Sequence, residues 1–126
     1  MKTDTHLDQA ELTRKIIGAL YTVYNGVGYG YQEKYYQRAL ALELEKIGVR
    51  YERERSMPIK YEGRIIGRYF MDFVVEATVV VELKIGNEIY QTAMNQLLNY
   101  LRSAGLTVGL IGLITPKGVR IKRVVL

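Results

Sequence analysis

Asp72 is followed ten residues later by Glu82-Leu83-Lys84, and both acids interrupt strongly apolar runs. The first run is Tyr69-Phe70-Met71-Asp72-Phe73-Val74-Val75 and the second is Val79-Val80-Val81-Glu82-Leu83-Lys84-Ile85. β-Branched and aromatic residues in short runs on either side of Glu76-Ala77-Thr78 predict a hairpin. With the turn centred on Ala77, Asp72 lies across from Glu82, and strand alternation puts Lys84 on the same face. Ionised groups on a burying surface are costly unless paired or metal-bound. Facing carboxylates also repel, which a divalent cation would relieve. Such a cation polarises a phosphate and lowers the pKa of an attacking water. The Leu83 carbonyl offers a further oxygen ligand, and Lys84 could orient the water or stabilise developing negative charge. The trio therefore points to metal-assisted phosphodiester chemistry. The plainer alternative is an acid–lysine ion pair on a sheet surface.

Three more residues could join this site. Glu33 shares a helical stripe with Tyr36, Leu40, Leu44 and Ile47, where a buried acid is unexpected. It also lies in a first helical turn, where a carboxylate favours the helix dipole, so both readings stay open. Gln96 and Tyr100 are one helical turn apart and share a face. They could line a cleft beside the acids, or simply edge an amphipathic helix. Tyr29, Tyr31 and Tyr35 could stack on bases or pack in a core. Gly26, Gly28 and Gly30 are not followed by a Walker-type lysine and join two helices, so a helix-to-helix turn is expected there. His6 is the single histidine and cysteine is absent, which excludes thiolate sites and disulfides and makes zinc a poor fit. Oxygen donors select a hard cation, Mg²⁺ or Mn²⁺.

The elements that must position these residues follow from periodicity and punctuation. Helices are expected over 8–24, opened by Asp8 and Glu11, over 31–47 with Gly48 as its stop, and over 88–103. Strands are expected at 49–55, 57–62, 67–75, 79–85, 107–114 and 118–125. The class is α/β or α+β, with a mixed central sheet flanked by helices. A chain of 126 residues with 48% hydrophobic and 25% charged residues reads as one globular domain over 1–126, with 1–7 a loose N-terminus. No apolar run approaches the ~18 residues of a membrane span, and no signal-peptide core opens the chain. A cytoplasmic protein is expected. The formal charge of +5 fits a polyanionic partner without demanding one.

Gly30-Tyr31-Gln32-Glu33-Lys34-Tyr35-Tyr36 matches the GxxExxY signature, and the chain resembles the GxxExxY protein family. Ile16-Ile17-Gly18-Ala19, Ala39-Leu40-Ala41-Leu42-Glu43-Leu44, Val81-Glu82-Leu83-Lys84 and Gln96-Leu97-Leu98-Asn99-Tyr100-Leu101 extend the resemblance over roughly residues 12–124. That family is grouped with the PD-(D/E)xK nuclease-like superfamily. The resemblance implies a restriction-endonuclease-like core and a Mg²⁺- or Mn²⁺-dependent nuclease acting on nucleic acid, with DNA favoured over RNA. It implies Glu33 as the acid of the first core helix, Asp72 as the strand acid and Glu82 with Lys84 as the ExK pair, with Glu33 joining Asp72, Glu82 and Leu83 as a metal ligand. Gln96 and Tyr100 resemble a supporting helix motif. Met71 stands where the literal motif has proline. Superfamily members that bind without cutting set the alternative: a nucleic-acid-binding or protein-interaction module that keeps the fold. A chain of this length lacks a target-recognition domain of its own, so a homodimer or a partner protein is expected.

Overall fold

The computed structural model describes residues 9–126, so the expected Asp8 cap, His6 and the loose segment 1–7 lie outside the described residues. Chain order is α1 (Gln9–Val27), α2 (Glu33–Lys46), β1 (Tyr51–Tyr61), β2 (Arg64–Val75), β3 (Val79–Ile85), α3 (Gln91–Ala104), β4 (Val108–Thr115) and β5 (Gly118–Val125). The five strands form one sheet in sequence order. β3 and β4 run parallel, joined through α3, and every other neighbouring pair is antiparallel. This is the expected mixed α+β sheet, and its architecture is restriction-endonuclease-like.

Each sheet face buries a separate core. Leu12, Ile16 and Leu20 of α1 and Tyr36, Leu40 and Leu44 of α2 pack on Phe73, Val75, Val79, Val81 and Leu83. On the other face Leu97, Tyr100 and Leu101 of α3 pack on Met71, Val74, Val80 and Ile111. β4, covered on both sides, is buried along its whole length. That explains the unbroken apolar run Val108-Gly109-Leu110-Ile111-Gly112-Leu113-Ile114, because a strand with two buried faces has no polar alternation.

Several boundaries differ from expectation: β2 begins at Arg64 rather than 67 and α3 at Gln91 rather than 88, and three further differences have local causes. α1 continues through Asn25 and Gly26 to Val27; one helical glycine costs only about 1 kcal/mol, and the packed face of α1 outweighs it. α2 begins at Glu33, which makes the glutamate its first residue. At its far end Gly48 (φ 78°) donates to the Glu45 carbonyl and Val49 to the Leu44 carbonyl, a Schellman closure. The expected pair of strands around Ser56-Met57-Pro58 is a single strand, β1. β1 lies at the sheet edge, where a proline's missing N–H is tolerated.

The β2–β3 turn sets the register on which the site depends. Glu76 and Ala77 both take left-handed φ, 52° and 51°, and Thr78 N–H closes the turn on the Val75 carbonyl at 2.9 Å. The strands then pair Val75 with Val79, Val74 with Val80 and Phe73 with Val81. Two consecutive left-handed residues with side chains are unfavourable. Bonds to Arg50 hold them: the Glu76 N–H donates to the Arg50 carbonyl at 2.8 Å, and the Glu76 carboxylate accepts the Arg50 N–H at 2.7 Å. Ala77 has no such anchor of its own. Ala77→Gly should therefore raise stability by about 1 kcal/mol, and Ala77→Val should lower it, as read by urea denaturation.

Candidate active site

Regular pairing of β2 with β3 ends at Phe73 and Val81. One step further, side chains replace the ladder. The Asp72 N–H donates to Glu82 Oε1 at 2.7 Å, and the Leu83 N–H donates to Asp72 Oδ2 at 2.7 Å. Each acid thus accepts a backbone donor on the opposite strand, and the two carboxylates bridge the fork where the strands part.

The fork has a cause in β2. Phe73 packs into the α1/α2 core while Met71 packs into the α3 core. Strict alternation would put residues two apart on one face, so the strand turns over at Asp72. In β1 the paired residues step from Arg53 (with Phe73) to Arg55 (with Met71), and Glu54 between them has φ 57°. Asp72 sits at the level where the whole β1–β2 hairpin changes facing.

α2 closes the site from the side. Gln37 Nε2 donates to Asp72 Oδ1 at 3.0 Å and lies 3.4 Å from Glu33 Oε2, so one amide spans both acids. Gln37 Oε1 in turn faces Arg53 Nη2 at 3.5 Å. The Arg53 guanidinium lies over the Phe73 ring, 5.1 Å from its centroid, and its buried Nε has no partner among the described residues. Lys84 Nζ is 4.0 Å from Glu82 Oε2 and remains partly exposed. Glu33, Asp72, Glu82 and Lys84 therefore share one electrostatic neighbourhood. Sequence reasoning missed Gln37 and the orientation of Arg53. The available signal was the i,i+4 spacing of Glu33 and Gln37.

Burial dominates the acids' protonation. Desolvation pushes the Glu82 pKa up to about 8, the Asp72 charge adds to it, and the Asp72 N–H and Lys84 oppose it. Asp72 is also raised by desolvation, against the Leu83 N–H, a bond from Glu82, Lys84 and Gln37. Glu33 is raised by burial first and by Asp72 second, with Lys84 opposing. Desolvation therefore disfavours two negative charges on the Asp72–Glu82 pair. A cation bound there would relieve that penalty.

The remaining candidates divide. Gln96 lines a cleft with Lys84, Tyr90 and Thr92. Tyr100, buried in the α3 core, borders a different cleft, with Arg55, Ser56 and Lys60. Its phenol is raised by burial, with Arg55 and Glu52 as its charged neighbours. Tyr29, Tyr31 and Tyr35 are all exposed, and Tyr36 takes the core position. Gly28 and Gly30 lie in the expected helix–helix connection, whereas Gly26 falls inside α1. Among the described residues no three His, Cys, Asp or Glu side chains form a ready metal cage. The donor set suits a hard cation nonetheless, since Mg²⁺ keeps several waters and binds through one or two carboxylates.

A mixed sheet forked at two acids, with a lysine two residues beyond the second, defines a nuclease-like α+β domain. A family model for the PD-(D/E)XK nuclease superfamily matches residues 10–123, and the chain belongs to that superfamily. Its nucleases generally use divalent metals and act on nucleic acid. No curated protein matches the chain. Among solved structures, the crystal structure of SSO0001 is similar at 19% identity and a TM-score of 0.46, over 87% of this chain and 65% of that one. No helix among the described residues is long and apolar enough to cross a membrane.

The acid pair makes stability depend on pH. A carboxyl whose pKa is higher folded than unfolded contributes stability below its unfolded value of 4.5, and loses it as pH rises through about 8. Melting temperatures in EDTA should therefore fall between about pH 5 and pH 8. Glu82→Gln should flatten that decline, and Mg²⁺ should restore stability at pH 8 in the wild type but not in the variant.

Proposed function

We propose that this protein is a GxxExxY-type, Mg²⁺- or Mn²⁺-dependent nuclease that hydrolyses phosphodiester bonds of DNA. The observation that carries the reading is the fork: two desolvated carboxylates held on opposite strands, with Lys84 beside them. Asp72, Glu82 and the Leu83 carbonyl would hold the cation. When bound, it supplies a polarised phosphoryl oxygen and a water of lowered pKa. Glu33 assists Asp72 and Glu82 in organising metal and water, and the Gln37 amide keeps the two acids that it bonds in fixed orientations. Lys84 positions the water and stabilises negative charge as it develops on the phosphoryl group. Gln96 supports Lys84 from α3, and Tyr100 braces the Arg55 side of the same helix. The absence of cysteine supports a cytoplasmic setting.

The test is cleavage of labelled single- and double-stranded DNA and RNA in Mg²⁺, Mn²⁺ or EDTA. DNA should be cut only with metal, and Asp72→Ala and Lys84→Ala should each lower kcat by roughly 10²–10³-fold, the scale of losing one electrostatic contact to the transition state. Binding without cleavage in any metal would replace this reading with a nucleic-acid-binding module. Neither binding nor cleavage would leave a protein-interaction domain.

Gln37→Leu provides a separate measurement. Loss of a group that orients metal ligands costs about 10–100-fold in metal affinity or activity. The Mg²⁺ concentration for half-maximal cleavage should rise on that scale while the fold, read by circular dichroism, stays intact.

A further inference from the structure

Beyond Met57 and Tyr69, which pack toward α3, the β1–β2 hairpin shares with α3 the cleft that Pro58 and Lys60 line with Tyr100, Ser103 and Ala104, and its outer turn is exposed. β1 has β2 as its one extensive neighbour. Alternate residues of β2, Arg64, Ile66, Arg68 and Phe70, are all exposed. Tyr61 is 63%, Ile66 66% and Phe70 56% exposed, and because the register shift between Ile59 and Lys60 pairs Tyr61 with Arg64 while Phe70 stays with Ser56, this apolar surface is spread over both faces of the ribbon, where water covers it poorly. Beside it stand Lys60, Arg64 and Arg68, none of them in an ion pair among the described residues. Glu62 in the turn is the one carboxylate of the segment 55–70.

We propose that this ribbon is a docking rib for duplex nucleic acid, with Lys60, Arg64 and Arg68 on backbone phosphates and Tyr61, Ile66 and Phe70 against the groove. The proposal rests on the nuclease reading and names the form of its substrate. Shape favours a duplex, because a two-stranded ribbon is a convex element that a major groove admits. Charge favours a polyanion over a second copy of the chain, since ribbon against ribbon would set cations against cations. The edge also resists strand addition. Pro58 and Lys60 lie on edge strand β1, and the pairing is irregular between Ile59 and Lys60, all features that discourage edge-to-edge pairing. The ribbon is continuous with the fork. At ~3.3 Å per residue, Arg68 lies ~13 Å and Arg64 ~26 Å along β2 from Asp72. Phosphates gripped there would hold the duplex beside the acids.

Fluorescence anisotropy in Ca²⁺, with a labelled duplex and its single strand, tests the rib apart from catalysis. Wild-type protein should prefer the duplex. The Lys60→Ala/Arg64→Ala/Arg68→Ala variant should lose at least about tenfold in duplex affinity, and its slope of log K against log salt should shrink by about 2–3. In Mg²⁺ its KM for cleavage should rise while kcat stays within about threefold, and Arg64→Lys/Arg68→Lys should restore most of the binding. Unchanged affinity and slope in a variant that melts like wild type would overturn the rib while leaving the nuclease reading intact. A preference for single strands would overturn it as well. So would a wild-type dimer that Ile66→Asp converts to monomers with duplex affinity unaltered. Wild-type protein that neither binds nor cuts any nucleic acid would overturn both proposals.

Discussion

Two part-buried backbone N–H groups, those of Asp72 and Leu83, hold the centre of this fold together by bonding to carboxylates instead of to the backbone of the neighbouring strand. A buried donor left unpaired costs roughly 1–3 kcal/mol, so wherever two strands part inside a protein something must take over their ladder. Water or a polar side chain from another element could do so. Here the acids of the two strands do it for each other, so removing either side chain leaves one backbone donor without its partner. The same bonds fix both carboxylates rigidly at the point where the sheet opens.

That arrangement conflicts with the electrostatics of its own members. The hydrogen bonds and Lys84 favour ionised carboxylates, while desolvation and their mutual repulsion favour protonated ones. Burial prevails for Glu82, which is only 8% exposed. A binding site for a hard cation has this character: oxygen atoms held in place with less positive charge around them than they need. Structural ion pairs behave differently, because their partners satisfy them. Lys84 is at the outer limit of pairing distance and partly exposed, so it does not neutralise the pair.

Much of this was legible in the sequence. A turn centred on Ala77 fixes the register by counting, which sets Asp72 opposite Glu82. The continuous apolar run of β4 and the stop at Gly48 were equally local. What local pattern could not supply was contact between distant elements. Gln37 and Asp72 are 35 residues apart, and nothing in a helical stripe says that its polar edge meets a strand. The turnover of β2 at Asp72 was hidden for a different reason. Alternation predicts faces only while a strand keeps one twist, and Met71 and Phe73 read identically as inward residues whichever core receives them. The single strand across Ser56-Met57-Pro58 was missed because proline breaks a central strand but not an edge one.

The turnover also explains why one hairpin contains two such different halves. Between Tyr51 and Phe73 it belongs to the α1/α2 core, with the Tyr51 and Phe73 rings edge to face at 5.7 Å. Past Asp72 it faces α3 as far as Met57 and Tyr69, where the Tyr69 hydroxyl donates to the Gln96 carbonyl at 3.0 Å. Rotating the strands at this level lets a single pair of strands seal one core, border the acids and then run on to an exposed turn. An unbroken strand could not do all three, since its inward face would stay on one side of the sheet. The irregular conformation at Glu54 and the lost ladder at Asp72 are thus the structural cost of placing a site and an exposed ribbon on the same hairpin. Because the carboxylates take over the lost ladder, that cost falls on the same two residues to which the proposed function gives the metal.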